Sequence, residues 1–349
     1  MGVAISLFSG AGGLDLGVER AGFAVTAAIE ANISAADTMD LNFKNLRSGV
    51  IRSDILCVDS REILRAAGLR GRQRPALLIG GPPCTPFSKS GFWLESKRSG
   101  LDPAACYLQE YTRVLAETRP RAFILENVHA LTFDNRQSRP AFDRLLREID
   151  DAGYIVRFDV LNAADFGVPQ RRNRLFVIGV PKGYKLPDLP RPTHSGRCEG
   201  TTATETLIEH RTAGEVLQYL DDDPEHGEAL RGRWSQLLPL VPPGDNYLFF
   251  TARRGHPTPV FEWRSRYWSF LLKLDPNRPS PTIQAQPGPN VGPFHWENRR
   301  LRVAELKRLF SFPDDFRFTG TRSAIQSQIG NSVPPLLAER VAKAVAEAL

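Results

Sequence analysis

The feature that most constrains this chain is the regular alternation of short apolar runs with amphipathic stretches between Val3 and Val180. The apolar runs predict strands over Val3–Phe8, Ala24–Glu30, Ala76–Gly80, Ala122–Glu126, Ile155–Leu161 and Leu175–Val180. Helical spacing predicts helices over Leu14–Ala21, Ala31–Phe43, Arg61–Ala67, Ala104–Thr118 and Ser138–Ala152. Strands separated by helices close most readily into a mostly parallel, doubly wound α/β sheet. Ligands of such sheets gather beyond the carboxyl ends of the strands, so the residues that follow each strand are where chemistry is sought.

Beyond Val180 the pattern changes. Residues 182–298 are rich in proline, glycine, arginine and aromatics, without sustained periodicity. Arg302–Phe310 reads as a helix stopped by Phe312-Pro313, and Pro335–Leu349 as a final helix packed on the core. A chain of 349 residues that is 42% hydrophobic has enough apolar material for one large core and a smaller module. Its net charge of +6 is compatible with a polyanionic partner without requiring one. Four dispersed cysteines (Cys57, Cys84, Cys106, Cys198) with no Cys-x-x-Cys pair argue against a zinc site or a disulfide framework, and no metal is expected. The start of the chain lacks the features of a signal peptide, and Gly2 fits a buried first strand better than a lipidation site. No apolar run approaches the roughly 18 residues of a membrane span, so the reading is of a soluble, intracellular protein.

The strand ends carry distinctive residues. The first strand runs into Phe8-Ser9-Gly10-Ala11-Gly12-Gly13-Leu14-Asp15, where glycines let the backbone turn tightly and approach a ligand beside a helix N-terminus. This is not the Gly-x-Gly-x-x-Gly dinucleotide fingerprint, and ordinary tight turns share it. Glu30 ends the second strand, where a carboxylate can hold ribose hydroxyls, and Asp54 is placed to accept from an adenine amino group. Either acid alone is more often a loop carboxylate or a helix cap; the three features in order favour an adenosine-type cofactor. Gly80-Gly81-Pro82-Pro83-Cys84-Thr85-Pro86-Phe87-Ser88 stiffens the approach to Cys84, which fits poorly with a merely buried thiol. A thiol with an ordinary pKa of about 8.5 needs help to act as a thiolate near neutral pH. Glu126, at the end of its apolar run, is placed to share a proton with a bound base, although structural glutamates at strand ends are common.

Taken together, the segments Phe8–Gly17, Glu30, Asp54, Gly81-Pro82-Pro83-Cys84 with Phe87-Ser88, Glu126-Asn127-Val128, Gln170-Arg171-Arg172-Asn173-Arg174 and Gln328–Pro334 resemble, in order, the cytosine-5 DNA methyltransferases of prokaryotic modification systems. The resemblance spans the chain except for its variable region. It implies a Rossmann-like class I methyltransferase fold with a smaller target-recognition domain. Residues 1–181 would form the catalytic and cofactor-binding domain, 182–298 the recognition domain, and 299–349 a segment returning to the catalytic domain. The implied cofactor is S-adenosylmethionine. Phe8 would stack on its adenine, with Ser9, Gly10, Ala11, Gly12 and Gly13 along its methionine part. Glu30 would take the ribose, Asp54 the adenine, and Pro83, Asn331 and Ser332 would add further contacts.

The same resemblance makes Cys84 the nucleophile, with Glu126, Arg172 and Arg174 holding and activating the cytosine. A thiolate added at C6, with Glu126 donating to N3, would make C5 able to attack a sulfonium methyl. The base must first be flipped out of the duplex. Ser88, Lys89 and Arg98 near the nucleophile, and Arg253, Arg254, Arg264 and Arg266 in the variable region, are the candidate contacts to double-stranded DNA. Pro281-Thr282-Ile283 and Gly288 resemble the family's spine within that region. The chain departs from the family at Thr85, where Gln often follows the cysteine, and at Phe310-Ser311, where the family often has Gln before a Phe-Pro pair. A transfer-RNA enzyme of the same fold is disfavoured, since no cysteine here is followed by Phe-Thr. A catalytically inactive relative is disfavoured because Cys84, Glu126 and Asn331 all stand. The reading is of a monomer in a bacterial or archaeal cytoplasm, nucleoid-associated when acting, with a companion restriction or defence protein possible.

Overall fold

The computed structural model describes residues 2–83, 103–135, 138–196, 207–218, 220, 228–264 and 267–349. Cys84, Ser88, Lys89, Arg98 and Arg266, named above, lie outside these described residues, as does Cys198.

Six strands form the main sheet: β1 (Val3–Leu7), β2 (Ala24–Ile29), β3 (Leu77–Gly80), β4 (Ala122–Val128), β5 (Tyr154–Asn162) and β6 (Asn173–Pro181). Their order is β2-β1-β3-β4-β6-β5, and only β6 runs antiparallel to its neighbours. An isolated parallel bridge between Ile29 and Ile51 lies beside β2. Helices α1 (Gly13–Arg20), α2 (Ile33–Asn42), α3 (Ser60–Ala66), α4 (Pro103–Thr118) and α5 (Ser138–Asp151) connect the parallel strands. The link from β5 to β6 holds only a single helical turn at Ala163–Phe166. Such a connection is too short for a crossover, so β6 returns antiparallel.

Alternation along each strand sends side chains to two separate cores. Ala4, Val25, Leu77, Ile79, Ala122, Ile124, Phe176 and Ile178 face α1 and a last helix, α9. Ile5, Leu7, Ala27, Ile29, Leu78, Phe123, Leu125 and Val177 face α3, α4 and α5. A period of two on a sheet buried on both faces is what a doubly wound fold requires. α9 (Pro335–Ala346) lies directly against α1. A Cβ on Gly17 would come within 2.4 Å of the Ala338 Cβ, so glycine sets the approach of these two helices.

Element boundaries differ from the sequence expectation where local chemistry intervenes. β1 stops at Leu7 because Phe8 turns into the left-handed region (φ 54°). α2 starts at Ile33 because the Asn32 side chain caps it, accepting from the Ala35 N–H at 3.0 Å. A helix over Arg322–Asn331, α8, was not expected. Its few apolar residues give little periodic signal, although Thr321 caps it through the Ala324 N–H.

A third cluster joins Ala36 and Met39 of α2 to α6 (Ala213–Leu217), Leu274, Ile283, α7 (Val303–Leu309), Phe310, Phe312, Phe316 and Ile329. A fourth, smaller one contains Val241, Tyr247, Phe250 and Leu271, with Trp234, Phe261 and Phe270 packed against it. Among the described residues, no helix is long and apolar enough to cross a membrane.

Candidate active site

The turn after β1 and the ends of β2, β3 and β4 converge on one edge of the sheet. Gly10 has φ 55° and open space where a Cβ would stand, so the loop backbone presents a bare surface there. Its N–H donates to Glu30 Oε2 at 2.7 Å, and the Asn32 N–H donates to Glu30 Oε1 at 2.7 Å. Burial pushes the Glu30 carboxyl above its ordinary range despite these two donors. Ser9 is buried, its hydroxyl 2.9 Å from that of Ser6. Ala11, Gly12 and Gly13 are buried, with Gly12 capping α1 in the left-handed conformation. Gly13 lies against Ser332 and the Val333 carbonyl, which brings the C-terminal segment back to the glycine turn. Ser332 is buried and donates to the Gln328 carbonyl at 2.7 Å, while Asn331 is exposed.

Asp54 caps the short turn Ile55–Cys57, where its Oδ1 accepts from the Leu56 N–H at 3.0 Å. Its Oδ2 accepts from the Tyr107 hydroxyl at 2.8 Å. The half-buried Phe8 ring meets the Tyr107 ring edge to face, centroids 5.8 Å apart. The sequence reading missed Tyr107, which helical periodicity alone does not distinguish from a packing residue. It also passed over Asp15, wholly buried in the first turn of α1. Burial pushes the Asp15 carboxyl up to about 7, against the pull of the Ser6 hydroxyl.

Glu126 ends the apolar run of β4 and is 8% exposed. Its Oε1 pairs with Arg174 Nε at 2.9 Å. Burial raises its pKa, and the guanidiniums of Arg174 and Arg172 hold that rise back. The neighbouring Asn127 side chain donates to the Pro82 carbonyl at 3.1 Å, fixing the backbone ahead of the exposed Pro83 and of Cys84. A Cβ on Gly81 would stand 2.8 Å from Glu126 Oε2, so the carboxyl lies directly against this approach.

Arg172 and Arg174, grouped together in the sequence reading, sit in different surroundings. Arg174 reaches Glu126, whereas Arg172 is 1% exposed. The Arg172 guanidinium donates to the carbonyls of Ile283 (3.3 Å) and Gly330 (2.6 Å) and stacks over Phe310. The Ser280–Ile283 segment also runs beside residues 169–171, with Arg171 N–H to the Ser280 carbonyl at 2.8 Å. That places it next to the strand bearing Arg174.

Arg253, Arg254 and Arg264, the described DNA-contact candidates of the variable region, lie around the fourth cluster. Arg253 is exposed and stacks over Trp263 at 4.3 Å. Arg254 is paired with Asp245 at 2.7 Å, and Arg264 lies 3.4 Å from Glu262. The Tyr247 hydroxyl holds the backbone of Arg264, accepting from its N–H at 2.9 Å and donating to its carbonyl.

Known proteins of this pattern are unambiguous about kinship. The model of the C-5 cytosine-specific DNA methylase family matches residues 3–347. The chain is 48% identical to the Type II methyltransferase M.SacI of Streptomyces achromogenes, over 99% of this chain and 93% of that one. It is 32% identical to M1.HphI of Haemophilus parahaemolyticus, over 98% and 86%. A solved structure of a prophage-encoded E. coli protein, assigned as a DNA modification methyltransferase, superimposes with a TM-score of 0.69 at 25% identity, over 100% and 99%. The chain belongs to the C-5 cytosine-specific DNA methylase family.

Proposed function

We propose that this enzyme moves a methyl group from S-adenosylmethionine to C5 of a cytosine flipped out of duplex DNA, through a covalent bond between Cys84 and C6. The observation that carries this reading is the Glu126–Arg174 pair, buried at the end of β4 against the backbone that leads to Cys84. Cys84 Sγ adds to C6 as Glu126 gives a proton to N3, and the electron pair of the C5–C6 bond becomes available at C5. A carboxyl raised by burial keeps its proton closer to neutral pH, which suits an acid in this step. Arg174 orients Glu126 and the base, while Arg172 positions the strand by tying it to Ile283 and Gly330. Once C5 carries the methyl, its proton passes to a water-borne base, the C5–H pair re-forms the C5–C6 double bond and expels Cys84 as thiolate, and the N3 proton returns to Glu126.

The residues at the glycine turn fit the cofactor chemically: an open backbone at Gly10, a carboxylate at Glu30 suited to paired hydroxyls, and a half-buried ring at Phe8. Bound there, S-adenosylmethionine supplies an electrophilic sulfonium methyl. Phe8 stacks on the adenine, Ser9 to Gly13 line the methionine part, and Asp54, Pro83, Asn331 and Ser332 complete the site. Residues 1–181 and 299–349 act as the catalytic domain, and 182–298 read the DNA. Arg253, Arg254 and Arg264 make the recognition contacts, joined by Arg266 and by Ser88, Lys89 and Arg98 from the sequence that follows Cys84. Arg254, half-exposed beside Asp245, remains a candidate for the same surface. The naming of relatives as Type II methyltransferases supports a restriction–modification setting; within it we read the protein as a monomer acting on cytoplasmic DNA.

Bisulfite sequencing of DNA from a methylation-free host tests the reading. The wild-type chain is expected to modify cytosines in one sequence context, and Cys84→Ser in none. Modification that persists in the variant overturns the covalent role.

A further inference from the structure

The two carboxylates facing the adenosine end of the site are held in the same way but by different donors. Glu30 is fixed by two main-chain N–H groups, of Gly10 and Asn32. Asp54 is fixed by one main-chain N–H, of Leu56, and by one side-chain hydroxyl, of Tyr107. Main-chain donors come with the fold; the hydroxyl depends on a single side chain contributed by α4, 53 residues further along the chain. Each carboxylate oxygen retains a free lone pair when one donor is engaged, so a doubly held Asp54 can still accept from a ligand amine in a set direction. The same Tyr107 ring braces Phe8 edge to face. Phe8 stands in a left-handed conformation that a bulky residue seldom adopts unaided.

We propose that Tyr107 is a positioning residue for cofactor binding: its hydroxyl aims the Asp54 carboxylate at the adenine amino group, and its ring sets the tilt of Phe8. The inference rests on the adenosine site described above. The Tyr107 phenol titrates above its ordinary range, first because of its bond to Asp54, as expected for a donor committed to a carboxylate. The half-buried ring also packs at the margin of the second core, so removing the hydroxyl alone tests the bond to Asp54 while leaving that packing in place. Preorganising an acceptor lowers the cost of ordering it on binding, so the benefit falls on affinity more than on the chemical step.

Calorimetric titration of S-adenosylhomocysteine into the wild-type protein, Tyr107→Phe, Asp54→Ala and the double variant tests this, with melting temperatures of the ligand-free proteins alongside. Tyr107→Phe is expected to bind about tenfold more weakly, the range for losing a hydrogen bond to a charged group. Its melting temperature should stay close to wild type, and its cofactor KM should rise more than its kcat falls. In the Asp54→Ala background the same substitution should change affinity less than about twofold. Wild-type affinity in Tyr107→Phe, or an equal loss in both backgrounds, overturns the positioning role and leaves the adenosine site standing. No effect of Asp54→Ala, or no binding by the wild-type protein, overturns the adenosine site and the inference with it.

Discussion

Beside the main sheet, Glu30 and Arg172 are held by main-chain groups, whereas the fourth cluster is tied together by side chains that reach across it. Glu30 hangs from the N–H groups of Gly10 and Asn32, and Arg172 from the carbonyls of Ile283 and Gly330. Around the fourth cluster, Tyr247 grips the Arg264 backbone by its hydroxyl, Lys273 reaches the Val241 carbonyl and Asn298, and Arg253 rests on Trp263. The first arrangement depends on where the backbone runs, which a single side-chain change elsewhere leaves in place. The second depends on individual side chains, so single substitutions can alter it one contact at a time.

Substitutions in the two regions should therefore differ in kind. The largest effect is expected at Glu126. Glu126→Gln should lower kcat by about a thousandfold, within the range for a lost acid. The wild-type pH profile should sharpen this. Because burial raises the Glu126 pKa, its acid form persists above the ordinary carboxylate range and is lost as pH rises through the raised value. A falling alkaline limb in the wild-type rate, absent in Glu126→Gln, is the expected pair of profiles; identical profiles would remove Glu126 from the proton transfer.

Asp15 offers a stability test on the same side of the molecule. Its carboxyl titrates near 3.8 when the chain is unfolded and at about 7 when folded. The folded state thus holds the extra proton between these values. Wild-type stability should fall as pH rises from about 4 to 7, by at most about 4 kcal/mol, and level off above. Asp15→Asn does not titrate, so its melting temperature should lack this slope. Thermal melts at pH 5 and pH 8 decide the matter.

Arg172→Met should follow, costing about 3 kcal/mol in urea unfolding because two buried carbonyls lose their charged donor. Arg254→Ala, in the exposed pair with Asp245, should cost under about 1 kcal/mol. Equal costs would break the contrast between the regions. A similarly small effect is expected for Tyr247→Phe, about 1 kcal/mol for the lost hydrogen bond. It should weaken or relax site choice in a methylation assay on variant DNA duplexes while cofactor affinity holds.

The sequence by itself determined the strand positions, the two-sided burial of the sheet and the residues that end its strands. These follow from a period of two along each strand and from short motifs, both local properties. Local signal ran out at α8, where Ser, Gln, Asn and Gly carry little periodicity, and over much of the described part of 182–298, where side-chain clusters outweigh regular elements. Tertiary structure alone decided the partnerships. Arg172 and Arg174 are two residues apart and look alike in sequence, yet one enters the junction with Ile283 and Gly330 and the other meets Glu126. Tyr107 meets Asp54 only because α4 packs beside the turn at Ile55–Cys57. Which donor finds which acceptor depends on how distant segments pack, and no local period encodes that.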